Sequence, residues 1–255
     1  YKELVVIKVG TNVMTNKDNR IVRPVLNSLV QQIAELYERD IITILVSSGS
    51  VIAGKEVLGK AKIKDKTQRR QVYSAIGQPR MMRHYYNIFN DYGMQCAQVL
   101  PTKRDFHPGV HRDNMINCLE GLLSEGVIPI ANEDDAVSVS MSMFSDNDEL
   151  ATLLAQLMKA DKLILMTDID GLYDGHPEKE DSKVIGKVEP KEDLDKYIEE
   201  GNKQEGEGRG GMGSKLSYAQ KAAADNIPSY IVNGKRENVI LDVIEGKNVG
   251  TKVSK

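Results

Sequence analysis

The sequence predicts an α/β protein in which a mostly parallel sheet is covered by helices on both faces. One pattern along the sequence supports this prediction. Short apolar runs that end in glycine or polar residues alternate with segments of helical periodicity, and this alternation continues along the whole chain. Strands joined through a helix lie parallel in one sheet with right-handed crossovers. The 255 residues suffice for one large domain or two small ones.

The first half of the chain contains four predicted strands. LVVIKVG at 4–10 is apolar and ends in glycine, and IITILVSSG at 41–49 repeats the pattern. From Pro24 to Arg39, apolar residues recur on one helical face, with proline in the first turn. The other strands are predicted at 94–100 and 126–135, the other helices at 68–92 and 112–124, and a capping box at Thr102 and Asp105.

The second half begins with the clearest helix, for which Asp146 is the predicted N-cap. Its apolar stripe has the i, i+3, i+4, i+7 spacing of a helix packed on a sheet. The stripe consists of Leu150, Leu153, Leu154, Leu157 and Met158. Strands are predicted at 162–168 and 229–233. Helices are predicted to begin at about Ser214 and to cover 236–244, and a weak helix is predicted near 192–200.

Composition excludes several classes of function. The net charge is −3, and 28% of residues are charged, so neither nucleic acid nor an acidic membrane surface is an expected partner. No apolar run approaches the roughly 20 residues that span a bilayer. No leader peptide is visible, so a cytoplasmic protein is expected. Cys96 and Cys118 lie in apolar periodic segments and are expected to be reduced core residues.

Two further patterns are not interpreted as functional sites. His107 and His111 have a spacing that could bind a metal, but Pro108 and Gly109 between them favour a surface loop. The basic run KAKIKDKTQRR at 60–70 contains no aromatic residue. It is therefore predicted to be a solvated, mobile connection near the substrate mouth rather than an RNA-binding segment.

GRGGMGSK at 208–215 matches the dinucleotide pattern G-x-G-x-x-G and comes within one residue of a P-loop. Both motifs must follow a buried strand, whereas the preceding residues here are charged and turn-rich. Glycines still let a backbone approach an anion closely, and a helix N-terminus follows. The segment is either a flexible linker or a phosphate-binding loop, and Lys215 in the first turn suits phosphate better than it suits the helix dipole.

Charged and polar residues occur where buried strands end or helices begin. Lys8 interrupts a buried strand, although lysine is rarely buried without a partner. It could lie at an edge or extend to solvent, Asp148 could simply compensate a helix dipole, and Thr167 and Asp168 could cap a turn. In a parallel sheet these positions converge on one crevice. Together they predict an anion-binding site at the carboxyl edge.

Six motifs, in order, resemble the amino-acid-kinase family over nearly the whole chain: KVGTNV, SSGSVIAG, NEDDAV, DNDELA, LMTDIDGLYD and GGMGSK. The resemblance implies a three-layer α/β/α sandwich with an acceptor part at about 1–150 and a nucleotide part at about 160–255. It implies the branch that phosphorylates the γ-carboxylate of L-glutamate with ATP, the first step of proline synthesis. The PUA domain of many such proteins is expected to be absent. Open alternatives are a kinase for aspartate, acetylglutamate, carbamate or a nucleotide, and a non-catalytic nucleotide-binding sensor or storage subunit.

The resemblance also implies roles for individual residues. Lys8, Asp148 and Lys215 match catalytic positions, and Mg²⁺ is expected with ATP. Proline is expected to be an inhibitor. The expected assembly is a homo-dimer or homo-tetramer. The motif NEDD has Asp134 where the family pattern has asparagine. The implied acceptor-binding residues are Ser48, Gly49, Asp135 and Asn147, and the implied nucleotide-binding residues are Lys8, Gly10, Thr167, Asp168, Arg209, Gly210, Gly211, Met212, Gly213, Ser214 and Lys215.

Overall fold

The computed structural model describes residues 1–137, 144–179, 181–193 and 211–255. Within these ranges the strands form one eight-stranded sheet in the order β3-β4-β2-β1-β5-β7-β8-β6. Neighbouring strands are parallel except for β7 and β8, which are antiparallel. The strands are β1 (Glu3–Val9), β2 (Ile41–Ser47), β3 (Gln95–Val99), β4 (Val127–Ala131), β5 (Lys162–Thr167), β6 (Lys187–Val188), β7 (Ser229–Asn233) and β8 (Thr251–Val253).

Helices cover both faces of the sheet. The helices are α1 (Thr11–Met14), α2 (Arg23–Glu38), α3 (Ser50–Leu58), α4 (Lys66–Asp91), α5 (Val110–Ser124), α6 (Asn147–Leu157), α7 (Met212–Ala224) and α8 (Val239–Ile244), with a 3-10 turn at Lys103–Phe106. Alternation along β1 directs Val5 and Ile7 into a core with α2, α4 and α8, and Leu4 and Val6 into a second core with α5, α6 and α7. This is the predicted three-layer α/β/α sandwich.

The predicted strands and long helices are present, with ends that differ by at most four residues. The sequence reading missed α3, which follows β2 almost directly and contains Gly54, a residue that lowers helix propensity. It also missed β6 and β8, which are too short to show a periodicity. Most of the weak helix near 192–200 lies outside the described residues. None of the described helices is long and apolar enough to cross a membrane.

The prediction that both cysteines are core residues was wrong for Cys118, which is exposed on α5. Cys96 on β3 is half-buried, and burial raises the pKa of its thiol to about 11. His107 and His111 are both exposed. The whole basic run at 60–70 was predicted to be a connection, but its residues from Lys66 onward form the first turns of α4. The connection is therefore shorter than predicted.

Two glycines let α3 and α4 cross in direct backbone contact. A Cβ at Gly77 would lie 1.7 Å from the Ser50 carbonyl oxygen, and one at Gly54 would lie 1.9 Å from the Tyr73 carbonyl oxygen. Real Cβ atoms do not approach this closely, so any larger residue would push the helices apart. The crossing holds the polar face of α4 against the start of α3, at the carboxyl edge of the sheet.

We expect Gly77→Ala to lower the free energy of unfolding by about 2 kcal/mol or more, since backbone atoms cannot move aside as a side chain can. The control is Gly121→Ala in α5, where a Cβ would meet nothing within 4 Å. That change should stabilise the protein by about 0.5–1 kcal/mol. Urea unfolding of both variants tests the prediction, and equal effects at the two glycines would contradict it.

Candidate active site

A crevice of about 250 Å³ opens at the carboxyl edge of the sheet, where β1, β2, β4 and β5 end. Residues at the N-terminal ends of α1, α3, α6 and α7 line it. The free backbone N–H groups and the positive dipole ends of such helices favour negative charge. The crevice is therefore built to receive anions.

A buried carboxylate joins two lysines in this crevice. The Asp148 side chain is 0% exposed, with Oδ1 2.9 Å from Lys8 Nζ and Oδ2 2.9 Å from Lys215 Nζ. Strand alternation directs Lys8 to the same face as Leu4 and Val6, towards α6 and α7. The pair predicted from residues more than two hundred positions apart is therefore bridged by the predicted aspartate.

The three groups differ in how their pKa values shift. Burial lowers the pKa of Lys8, and the positive charge of Lys215 adds to this, so that the opposing effect of Asp148 is outweighed. Burial acts in the same direction on Lys215, but Asp148 and Asp146 outweigh it, and the pKa is raised. Burial would raise the pKa of Asp148, yet the two lysines hold it below its usual value. These directions favour an ionised Asp148 at neutral pH and predict that Lys8 loses its proton at lower pH than Lys215.

A hydrogen-bonded amide pair lies beside these charges. Asn147 Nδ2 donates to Ser48 Oγ at 2.8 Å and to Asn132 Oδ1 at 3.0 Å. Asn132 Nδ2 in turn donates to Gln78 Oε1 at 3.0 Å and to Ser50 Oγ at 3.3 Å. These contacts join the ends of β2 and β4 with α3, α4 and α6 along one wall of the crevice.

Asp135 lies on the α4 side of the crevice and its side chain is 4% exposed. Arg70 donates to its Oδ1 through Nε at 3.0 Å and through Nη2 at 2.9 Å. Ser74 Oγ donates to Oδ2 at 3.3 Å. Arg70 belongs to the basic run that was predicted to be a solvated connection near the substrate mouth, and it lines the crevice while pairing with Asp135.

Asp146 joins the start of α6 to the start of α7. Its Oδ1 accepts from the N–H groups of Asp148 at 2.8 Å and Glu149 at 3.0 Å, which is the predicted N-cap. Its Oδ2 accepts from Ser214 Oγ at 2.5 Å. Asp146 therefore fixes the helices that carry Asp148 and Lys215 relative to each other.

The side of the crevice next to β5 contains most of the predicted nucleotide-binding residues. A Cβ at Gly10 would lie 3.2 Å from Lys8 Nζ, so a larger residue there would crowd the lysine. Gly213 and Ser214 lie in the first turn of α7 without lining the crevice, and Arg209 and Gly210 lie outside the described residues. The predicted residues that line it are Lys8, Gly10, Ser48, Gly49, Asp135, Asn147, Asp148, Thr167, Asp168, Gly211, Met212 and Lys215.

The polar residues of the site that the sequence reading missed include Arg70, Ser74 and Asn132. Asn132 follows a strand directly, and that position could have marked it. Arg70 and Ser74 lie in a long helix, where only their distance from the apolar stripe was available as a signal. Across the described ranges, no group of three or more His, Cys, Asp or Glu residues is arranged to hold a metal ion.

The fold and this crevice define a member of the amino acid kinase family, whose sequence profile matches residues 3–233, and the chain belongs to that family. Among its curated relatives, the glutamate 5-kinase of Bacteroides thetaiotaomicron is 41% identical over 94% of this chain and 66% of its own length. The glutamate 5-kinase of Alkaliphilus metalliredigens is 40% identical over 97% of this chain and 94% of its own length. The chain thus spans about two thirds of the first relative and nearly all of the second.

Solved structures support the same fold. A crystal structure of an isopentenyl phosphate kinase substrate complex superposes with a TM-score of 0.71, covering 98% of this chain and 99% of that one. The two sequences are only 18% identical, so the likeness concerns the fold alone.

Proposed function

We propose that this protein is a glutamate 5-kinase, which transfers the γ-phosphoryl group of ATP to the side-chain carboxylate of L-glutamate. The observation that carries the proposal is Asp148, buried between Lys8 and Lys215 at the carboxyl edge of the sheet. Relatives with this name are about 40% identical over nearly the whole chain. The products are γ-glutamyl phosphate and ADP, and the acyl phosphate would serve proline biosynthesis.

The acceptor chemistry fits a site that has lysines in place of a general base. A glutamate side chain has a reference pKa of about 4.3, so it is already an anion at neutral pH and needs no deprotonation. The difficulty is to bring this anion against the triphosphate. Two fixed ammonium groups lower that barrier, because phosphoryl transfer depends on positioning and electrostatics. Lys8 and Lys215 supply them, and Asp148 holds both in place.

The surrounding groups orient the reactants. Backbone N–H groups at the starts of α3 and α7 would bind phosphoryl oxygens, since Gly49 and Gly211 place no side chain in front of them. Gly49 has φ +100°, a conformation that favours glycine. Asn147 and Ser48 would hold the acceptor near the lysines, and Thr167 and Asp168 would lie against the nucleotide.

Mg²⁺ would arrive with ATP. It commonly keeps several waters and is bound by substrate phosphates with one or two carboxylates rather than by an all-protein cage. This agrees with a crevice that is lined by separate carboxylates such as Asp168. When bound, the ion would neutralise part of the phosphate charge.

Three finer features belong to the proposal. The acceptor would bind mainly to residues before about 150 and the nucleotide to residues after about 160. Proline would compete for the acceptor subsite, because it also presents an α-carboxylate beside a positively charged nitrogen, here a secondary ammonium. The enzyme would act as a cytoplasmic homo-oligomer. A proline titration of the activity, sedimentation of the chain and fractionation of cells test these features.

ADP release measured with and without L-glutamate is the decisive experiment. We expect ADP formation that depends on glutamate, with hydroxylamine trapping the acyl phosphate as a hydroxamate. Dependence on aspartate, acetylglutamate or carbamate instead would indicate another kinase of the same fold. Nucleotide binding without turnover of any acceptor would indicate a non-catalytic subunit. Either outcome would overturn the proposal.

A further inference from the structure

The α4 end of the crevice carries charges that the phosphoryl-transfer step does not use. Asp135 is almost completely buried there, while the Arg70 side chain that binds it is 37% exposed. Both bonds from Arg70 end on the same carboxylate oxygen, Oδ1. An anion and a cation therefore lie side by side at the wall of a substrate crevice.

We propose that Arg70 completes the acceptor subsite to which the family resemblance already assigns Asp135: Arg70 binds the α-carboxylate of the acceptor, beside an α-ammonium held by Asp135. Arg70 is then a specificity-determining residue that makes the enzyme select an α-amino acid. This inference rests on the proposed function, because it assumes an acceptor with a free amino-acid end.

Charge matching supports the assignment to Arg70. Within the part of the chain that the structure describes, three cationic side chains line the crevice: Lys8, Lys215 and Arg70. The two lysines are paired with Asp148 and face the transferring group. Glutamate brings a second carboxylate, which needs its own cation. A guanidinium has five N–H donors in a planar fork that matches a carboxylate, and Asp135 takes two of them.

Asp135 retains room for an ammonium donor. A carboxylate can accept about four hydrogen bonds. Among the described residues, three groups donate hydrogen bonds to the Asp135 carboxylate: two N–H groups of Arg70 and the hydroxyl of Ser74. Ser74 Oγ also lies 3.2 Å from Ser50 Oγ, which accepts from Asn132, the partner of Asn147. This chain of contacts connects the proposed amino-acid subsite to the helix that begins beside Asp148.

A purely structural role for Arg70 gives a different result. If Arg70 only held Asp135 in place, its loss would weaken every acceptor that binds through Asp135. If Arg70 contacts the α-carboxylate, its loss weakens only ligands that have this group. 4-Aminobutyrate is glutamate without the α-carboxylate, so comparing the two compounds separates the roles.

The test measures the dissociation constants of L-glutamate and 4-aminobutyrate by titration calorimetry. We expect the unmodified protein to prefer glutamate by about 10- to 100-fold, the size of a hydrogen-bonded charge contact. Arg70→Gln should remove most of that preference by weakening glutamate alone, and Arg70→Lys should restore part of it. The matched control is Arg83→Gln, an exposed arginine on the same helix, which should leave both constants unchanged.

The second half of the pair is tested with glutarate, which is glutamate without the ammonium group. Asp135→Asn should weaken glutamate about tenfold or more and leave glutarate nearly unchanged. The inference is overturned if the unmodified protein shows no preference between glutamate and 4-aminobutyrate, or if Arg70→Gln weakens both or neither. Since the readout is binding, failure of the proposed function is seen separately, as glutamate binding without glutamate-dependent ADP release.

Discussion

Replacing Lys215 by alanine is expected to lower turnover by about 100-fold or more while the protein stays folded. Single preorganised electrostatic groups contribute effects of this size to catalysis. Lys215 Nζ is held 2.9 Å from Asp148 and lines the crevice, so its charge is fixed before the reactants arrive. The fold should survive, because Asp148 keeps Lys8 as its partner. Lys8→Ala should have an effect of similar size.

Glutamate-dependent ADP release measures this effect, with Lys221→Ala as the matched control. Lys221 lies in the last turn of the same helix and stacks over the Tyr218 ring at 4.6 Å. Its loss should leave turnover unchanged. Lys215→Met, which keeps more of the buried volume, should be as inactive as the alanine variant. Near-normal turnover in either Lys215 variant would remove this lysine from the mechanism.

The same arrangement predicts the alkaline limit of activity. Burial places the pKa of Lys8 below its usual value and the pKa of Lys215 lies above, so Lys8 loses its charge first as pH rises. Turnover should therefore fall with the deprotonation of Lys8. The order in which the two lysines lose their protons could not be inferred from the sequence, because it depends on how far each lysine is buried and on which charges surround it.

Periodicity predicted the layers of this fold because β1 and β2 are buried and α6 has a clear stripe. Periodicity was less informative where contacts between distant backbone segments determine whether a helix or strand forms. The sequence of α3 contains a glycine that weakens helix propensity, and only its contact with α4 explains why the glycine is there. The pairing of β8 with β7 and β6 is a long-range contact of three residues and leaves no local pattern.

The candidate site shows the same division. Lys8 and Lys215 could be placed at one edge because residues at strand ends and helix starts converge there. Arg70 could not be placed in this way, because the sequence of a helix does not show which loop a side chain on its surface will contact. Its partner Asp135 is 65 residues away, and the contact depends on how α4 lies across α3.

Asp148→Asn should cause the largest combined loss of activity and stability. The change leaves two buried ammonium groups facing each other without a carboxylate, and breaking a buried charge pair costs about 3–5 kcal/mol. The pKa of at least one lysine must then fall further, since desolvation and the like charge are no longer offset. We expect turnover to fall by about 100-fold or more and the free energy of unfolding to fall by about 3 kcal/mol.

The matched control is Asp113→Asn. Asp113 is also an acid in the first helical turn, in α5, but it is exposed. If Asp148 merely compensated a helix dipole, both changes would cost about 0.3–1 kcal/mol. A clear excess at Asp148 identifies the lysine bridge as the cause, and equal losses would contradict it.

The pH dependence of stability supplies an independent test. Because the pKa of Asp148 is lower in the folded protein than in the unfolded chain, its carboxylate contributes stability that is fully present above the unfolded pKa of about 3.9. This contribution disappears as pH falls through the folded pKa. Urea unfolding of the unmodified protein and of Asp148→Asn should therefore converge in acid and differ most near neutral pH. A difference that stays constant from pH 7 to pH 3 would mean that the ionised carboxylate is not what Asp148 contributes.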